Sequence, residues 1–180
     1  AFLCWLMPWT HALAANVPLT TYGAVGDGIT DDTTNVQTAL TACSTSGDTY
    51  VIPTGKIFAI TDRLFLWGAA SLYAENKADG LTFNGTGTNL VNIGISALLT
   101  PAAVWTGTIS HMTFTVTGQP GAGGRILFFW RTNGGTVTDN VFRTSGYEYS
   151  ATSSGNNNAY LASCESIAYS ETNPCIRRNI

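Results

Sequence analysis

Among the residues in the second half of the chain whose side chains can exchange protons, we single out His111, Asp139 and Glu148. A pair of carboxyl groups is what hydrolysis of a glycosidic bond requires, and an imidazole titrates near neutral pH. A basic side chain beside a uronate carboxylate can instead start a β-elimination. These residues are therefore our candidate catalytic groups, and their types alone do not fix the substrate.

Aromatic and cationic residues near these groups are candidates for binding a substrate. Tyr147 and Tyr149 flank Glu148, and aromatic rings beside a carboxylate form a suitable platform for a sugar ring. Arg131 is a candidate partner for a uronate carboxylate because a guanidinium group pairs with a carboxylate in a bidentate manner. The alternative for the two tyrosines and Glu148 is a loose surface loop, and the alternative for Arg131 is an ordinary surface charge.

A repeat in the sequence predicts how part of this set is positioned. Gly107–Phe114 aligns with Gly135–Phe142, which starts 28 residues later, and Ile176–Ile180 aligns with Val137–Val141. Such repeats are typical of solenoids, in which each repeat buries side chains against its neighbours. The alignment predicts three stacks of side chains: Ile109, Val137 and Ile176 in one buried column, Phe114 over Phe142 in another, and Asn140 with Asn179 in a ladder at a turn.

His111, Asp139 and Arg178 occupy the same position of the aligned repeats. The alignment therefore predicts one column on one surface, with about 4.8 Å between neighbouring strands. A column of an imidazole, a carboxylate and a guanidinium group can bind an acidic sugar and move protons. The alternative is a solvated turn beside the Asn ladder.

The elements that must position these residues begin with a compact unit near the N-terminus. In the run YGAVGDGITDDT, two glycines, one of them Gly28, flank Asp27 and predict a turn with positive φ. Asp31 or Asp32 is then expected to cap a helix that starts near Thr33. The apolar positions of this helix lie on one face: Val36, Ala39, Leu40 and Cys43.

This run, the helix that contains Gln37, the predicted strand Thr49–Ile52 and the turn Pro53–Gly55 resemble the N-terminal signature of the pectate-lyase-like superfamily. The resemblance implies an all-β fold, a right-handed parallel β-helix (a solenoid) with a short N-terminal capping α-helix. The helix would cover the open end of the β-helix, as the need to protect free strand edges also predicts. The resemblance further implies that four residues of the run are structural: Asp27, Gly28, Asp31 and Asp32.

The resemblance also implies a function: an exported hydrolase or lyase whose partner is a polysaccharide, an acidic or pectin-like glycan. The motifs that mark polygalacturonases, and an acidic cluster like the calcium site of pectate lyases, are not present in the sequence. We therefore expect the full active site to lie beyond Ile180, or the activity to differ. The sequence identifies no cofactor, and Ca²⁺ is implied by the resemblance alone. Two alternatives stay open: a non-catalytic β-helix adhesin or surface structural protein, and a tailspike-like depolymerase.

Residues 1–15 have the features of the end of a secretory signal peptide. The apolar run AFLCWLMPW precedes small residues with Ala-x-Ala spacing, so we expect cleavage before Ala15 or Asn16. The mature protein would be secreted, periplasmic or on the cell surface, and a tailspike assembled inside the cell would not need such a signal. We expect residues 16–180 to be the N-terminal part of one β-helix domain, truncated at both ends. The alternative for residues 1–15 is a buried first helix or strand.

Composition excludes other classes of protein. Lys and Arg number 8 and the formal net charge is -3, so the chain has no basic patch for nucleic acid. No apolar run reaches the roughly 18 residues that a membrane span needs. Cys164 and Cys175 are candidate disulfide partners in an oxidising compartment, whereas Cys43 is expected to be a small buried apolar residue. No Cys and His spacing predicts a zinc site, and the oligomeric state stays open.

Overall fold

The computed structural model describes residues 15–85, 89–93, 104–117, 125–129, 132–144, 160–164 and 175–177. Within these ranges the chain forms a short 3-10 helix (Leu19–Tyr22), one α-helix, α1 (Thr33–Ser46), and fifteen strands. The strands are β1 (Asn16–Pro18), β2 (Asp27–Asp31), β3 (Thr49–Ile52), β4 (Ile57–Ile60), β5 (Leu64–Leu66), β6 (Ser71–Ala74), β7 (Gly80–Phe83), β8 (Asn89–Ile93), β9 (Thr108–Ser110), β10 (Thr113–Val116), β11 (Arg125–Phe129), β12 (Thr136–Thr138), β13 (Val141–Thr144), β14 (Tyr160–Cys164) and β15 (Cys175–Arg177).

The strands form three sheets, which the chain visits in turn. The first sheet has the order β1-β3-β6-β9-β12-β15, the second β2-β4-β7-β10-β13 and the third β5-β8-β11-β14. All pairings between these strands are parallel. The structure is therefore mostly β, with parallel sheets and a single α-helix among the described residues, as the all-β prediction requires.

The strand register confirms the repeat found in the sequence. Ile109 pairs with Val137 between β9 and β12, and both side chains are fully buried. Phe114 pairs with Phe142 between β10 and β13, with nearly parallel rings whose centroids are 5.2 Å apart. β15 places Ile176 in register with Val137, as the third copy predicts. Side chains of neighbouring repeats are therefore stacked in columns.

Buried apolar side chains from the helix and from all three sheets form one core. Each such side chain contributes about 1.5–3 kcal/mol when it is removed from water. The core includes, among others, Val36, Leu40, Tyr50, Phe58, Leu64, Leu72, Leu81, Val91, Ile109, Phe114, Leu127 and Val137. The 3-10 helix adds Leu19 to this core. No described helix is long and apolar enough to cross a membrane.

The N-terminal unit has the predicted elements and a different capping arrangement. The α-helix begins at Thr33, as expected. Asp32 occupies the N-cap position, but its carboxylate accepts hydrogen bonds from the N–H groups of Val25 and Gly26 at 2.7 and 3.0 Å. Of the two residues predicted to cap the helix, Asp32 therefore does not do so with its side chain. The carboxylate binds to the buried turn at Gly26, because the N–H groups of this turn would otherwise have no partner. Asp31 instead accepts from the N–H of Thr33 at 3.0 Å.

The helix protects the edge strand of the third sheet. Gln37 Oε1 accepts a hydrogen bond from the Phe65 N–H at 2.8 Å, and Gln37 Nε2 donates to the Phe65 carbonyl at 3.2 Å. Ser44 Oγ accepts from the Trp67 N–H at 3.0 Å. Backbone groups that would face a further strand at this edge are therefore satisfied by side chains of α1, which agrees with the protective role predicted for the helix.

The cysteines agree in part with the predictions. Cys43 is a buried free cysteine, and its Sγ lies 3.0 Å from the Asp48 carbonyl, to which it donates a hydrogen bond. Burial raises the pKa of this thiol to about 12, so Cys43 is an inert part of the core. The side chains of Cys164 and Cys175 lie outside the described residues, and their disulfide stays a prediction.

Candidate functional site

The outer face of the first sheet carries polar side chains in register. Side chains alternate between the two faces of a strand, so the neighbours of buried Leu72 and Ile109 point outward. An open groove of about 360 Å³ lies on this face. We call it the Tyr73 groove, and it is lined by Asn16, Thr49, Ser71, Leu72, Tyr73, Thr108 and Ser110. The polar lining that the described residues supply consists of hydroxyl groups and one amide, and none of these lining residues is charged.

An aromatic pair stands beside the hydroxyl groups of this groove. The rings of Tyr73 and His111 are stacked, with centroids 5.4 Å apart and planes inclined by 16°. Tyr73 is 37% exposed, which is high for a large aromatic side chain in a strand. One face of the Tyr73 ring therefore packs on His111, and the exposed part of this ring lies next to groups that can donate and accept hydrogen bonds.

The orientation of the His111 ring fixes which nitrogen can act as a base. His111 Nδ1 lies 2.8 Å from the Ala74 carbonyl oxygen. Because a carbonyl oxygen can only accept, Nδ1 must carry the hydrogen and donate it. In the neutral ring, Nε2 is then the nitrogen with the free lone pair, and it is the atom that could receive a proton from a substrate.

Asp139 takes the same place as His111, one strand further along the sheet. Both residues have a φ of 57°, a left-handed conformation that His and Asp adopt more readily than most residues. The His111 N–H donates to the Thr138 carbonyl at 3.3 Å, which ties the two turns together. The structure thus confirms that His111 and Asp139 are neighbours in one column, and Arg178 lies outside the described residues.

Asn140 fixes the turn that holds this column. Its side chain is fully buried, its Oδ1 accepts a hydrogen bond from the Met112 N–H at 3.2 Å, and its Nδ2 donates to the Ile109 carbonyl at 3.0 Å. Asn140 therefore pairs with the backbone of the preceding repeat, on both sides of His111. The predicted ladder partner Asn179 lies outside the described residues.

The remaining predicted site residues fall into two groups. The structure does not describe Arg131, Tyr147, Glu148 or Tyr149, so their roles stay predictions. Asp27 lies in β2 of the second sheet, where its carboxylate accepts from the N–H groups of Thr30 and Ile29 at 2.7 and 2.9 Å. These hydrogen bonds lower the pKa of Asp27 to about 2, which makes it a poor proton acceptor at neutral pH.

The other members of the predicted cap also have structural contacts. Gly28 has a φ of 78°, in the left-handed region that favours glycine. The Asp31 carboxylate accepts hydrogen bonds from the Thr33 side chain and N–H and from the Thr61 hydroxyl, which lower its pKa. These contacts fit the structural roles predicted for the cap. In the part of the chain that the structure describes, no group of three or more His, Cys, Asp or Glu side chains is placed to hold a metal ion.

Tyr73 and the hydroxyl residues of the groove are not among the predicted site residues. A signal for them exists in Ser71–Ala74, where Leu72 and Ala74 alternate with polar residues and place Tyr73 on the outer face. The repeat does not reveal Tyr73, because Leu72 pairs with Ile109, 37 residues later, and the repeat in the sequence is 28 residues long.

Comparison of the chain with protein-family models, curated proteins and solved structures finds no match. The Tyr73 groove and the His111 and Asp139 column are therefore the basis on which a function can be assigned.

Proposed function

We propose that this protein is an exported, carbohydrate-active protein that binds a polysaccharide in the Tyr73 groove. The observation that carries the proposal is the exposed Tyr73 ring, stacked on His111 beside a groove lined by hydroxyl groups. The pectate-lyase-like resemblance of the N-terminal run leads independently to the same class of ligand.

The groove has the two kinds of contact that a sugar needs. One face of a pyranose ring consists largely of C–H groups and packs on an aromatic ring, while the hydroxyl groups around its edge need hydrogen-bond partners. Tyr73 supplies the ring, and Ser71, Thr108 and Ser110 supply the partners.

We propose a right-handed parallel β-helix as the architecture that presents this groove. Support comes from the order in which the chain visits the three parallel sheets, adding one strand to each sheet in turn. Connections between parallel strands of one sheet are almost always right-handed. The contacts of Gln37 and Ser44 with the edge of the third sheet further support a helix that covers one end.

For the chemistry, we propose that His111 and Asp139 belong to the active site of a hydrolase or lyase. His111 Nε2 is oriented to accept a proton, and the Asp139 carboxylate stands in the same column. Hydrolysis needs a second carboxyl group, for which Glu148 is the candidate. Two carboxyl groups about 5–5.5 Å apart would predict retention of configuration, and about 6.5–9.5 Å would predict inversion. An experimental structure that includes Glu148 would measure this separation.

Export is supported by the surroundings of Ala15. The Ala15 nitrogen donates a hydrogen bond to Asp48 Oδ1 at 2.8 Å, and the Ala15 carbonyl accepts from the Thr49 N–H at 3.0 Å. Cleavage before Ala15 would turn the first contact into an ion pair between the new α-amino group and the carboxylate. We therefore propose Ala15 as the mature N-terminus and a secreted, periplasmic or cell-surface location.

The test is a titration of the chain with a panel of soluble polysaccharides, followed by assays for new reducing ends and for unsaturated products. Tyr73→Ala should abolish binding, Tyr73→Phe should preserve it, and Ile29→Ala, at a position that is 85% exposed on the second sheet, is the matched control. Binding without turnover would identify the adhesin alternative. Binding that is unaffected by Tyr73→Ala would contradict the proposed site.

A further inference from the structure

We infer that the Tyr73 groove binds an uncharged sugar in preference to a uronate. This inference rests on the proposed function and specifies the class of sugar bound at this one position. It differs from the acidic, pectin-like substrate that the resemblance implies for the protein as a whole.

The first argument is the charge of the groove and its surroundings. The described residues that line the groove are all uncharged. Asp48 directly precedes Thr49 at one end, where its carboxylate is held by the Ala15 nitrogen, and Asp139 stands one strand beyond His111 at the other end. Repulsion from the Asp139 carboxylate disfavours a uronate bound over Tyr73.

The second argument is the position of the cations. None of the Lys and Arg side chains that the structure describes lines the groove. Lys56 Nζ donates to the Val25 carbonyl at 2.8 Å, and the Arg63 guanidinium lies 5.9 Å from the centre of the Phe65 ring at the third sheet. The α-amino group of a mature chain that begins at Ala15 is already held by Asp48. Among the described residues, a carboxylate over Tyr73 would therefore lose water without gaining a Lys or Arg partner in the groove.

The third argument is the chemistry of the lining groups. A hydroxyl group both donates and accepts, so Thr108 and Ser110 can pair with sugar hydroxyls in either sense, while Ser71 Oγ, which accepts from the Thr108 N–H at 3.0 Å, can still donate its hydrogen. A carboxylate only accepts, and its strongest partners are charged donors. The polar lining therefore matches the hydroxymethyl group of a neutral hexose better than the carboxylate of a uronate.

The test uses two polysaccharides that differ only in whether each sugar carries a carboxylate or a hydroxymethyl group. They are polygalacturonate and the same polymer after reduction of its carboxylates to alcohols. We expect the full chain to bind the reduced polymer at least about tenfold more tightly at low salt, a factor that corresponds to about 1.4 kcal/mol. Added salt should narrow the difference in affinity, because it screens repulsion from the Asp139 carboxylate. Tyr73→Ala should remove the binding, while Ile29→Ala, at an exposed position of the second sheet, should leave it unchanged.

The outcomes separate this inference from the proposed function. Equal or tighter binding of polygalacturonate, still dependent on Tyr73, would overturn the neutral-sugar inference and leave the carbohydrate-binding groove in place. If neither polymer binds, and xylan and glucan oligosaccharides do not bind either, the proposed function itself is overturned. Thermal unfolding of each variant shows whether a loss of binding reflects a loss of the fold.

Discussion

Gln37 and Phe65 are joined by two hydrogen bonds in which a side-chain amide takes the place of a neighbouring strand. The amide accepts from the Phe65 N–H and donates to the Phe65 carbonyl, as the backbone of another strand would. An unprotected parallel edge is a site for pairing with other chains. The helix thus ends the third sheet with a specific polar contact and does not merely shield it with apolar bulk.

Replacement of Gln37 by Met should destabilise the protein by about 1–3 kcal/mol, because both backbone groups of Phe65 lose their partner at a part-buried position. The variant keeps the length of the side chain and removes its polar atoms. Chemical denaturation measures the change, with Thr38→Ala on the exposed face of the helix as control. A Gln37→Met variant as stable as the wild type would show that the edge does not depend on this contact.

Asn140 holds the turn that positions His111 and Asp139, so its removal should affect both stability and binding. Asn140→Ala leaves the Met112 N–H and the Ile109 carbonyl without their partner, at a cost on the order of 2–4 kcal/mol. Urea unfolding should show this loss of stability. Asn84→Ala, at an exposed position, should change the stability little. A normal midpoint for Asn140→Ala would mean that the turn is held by other contacts.

The Asp27 carboxylate should make the stability depend on pH. Its pKa falls from the ordinary 3.8 to about 2 in the folded chain, so its charged form stabilises the fold above about pH 4 and this contribution is lost as the pH falls towards 2. Asp27→Asn should therefore unfold at a lower temperature than the wild type at pH 7. The difference should shrink between pH 4 and pH 2. A difference in unfolding temperature that stays constant over this pH range would contradict the lowered pKa of Asp27.

The mature protein should begin at Ala15. N-terminal sequencing of the exported product would place the new α-amino group beside Asp48, whose carboxylate already accepts from the Ala15 nitrogen. A product that begins at Asn16 would lack this ion pair, and a product that retains Trp5 would refute the signal-peptide interpretation.

The repeat, the helix and the column of His111 and Asp139 could be predicted because they depend on local spacing. Ile109 and Val137 lie 28 residues apart in equivalent strands, so their register is visible in the sequence. Tyr73 could not be found in this way, since a longer connection separates it from Ser110, with which it pairs. The role of Asp32 was also hidden, because the turn that binds its carboxylate competes with the helix N-terminus for the same oxygen atoms.

The central claim is that a sugar binds against the Tyr73 ring, and NMR of the labelled chain titrated with an oligosaccharide of carboxyl-reduced polygalacturonate tests it most directly. We predict shifts of the Tyr73 ring protons and of the His111 side chain, with nuclear Overhauser contacts between the Tyr73 ring and the C–H face of the sugar. Signals of Ile29, on the second sheet, should not move. Sugar contacts elsewhere on the molecule, with the Tyr73 ring unaffected at saturation, would contradict the claim.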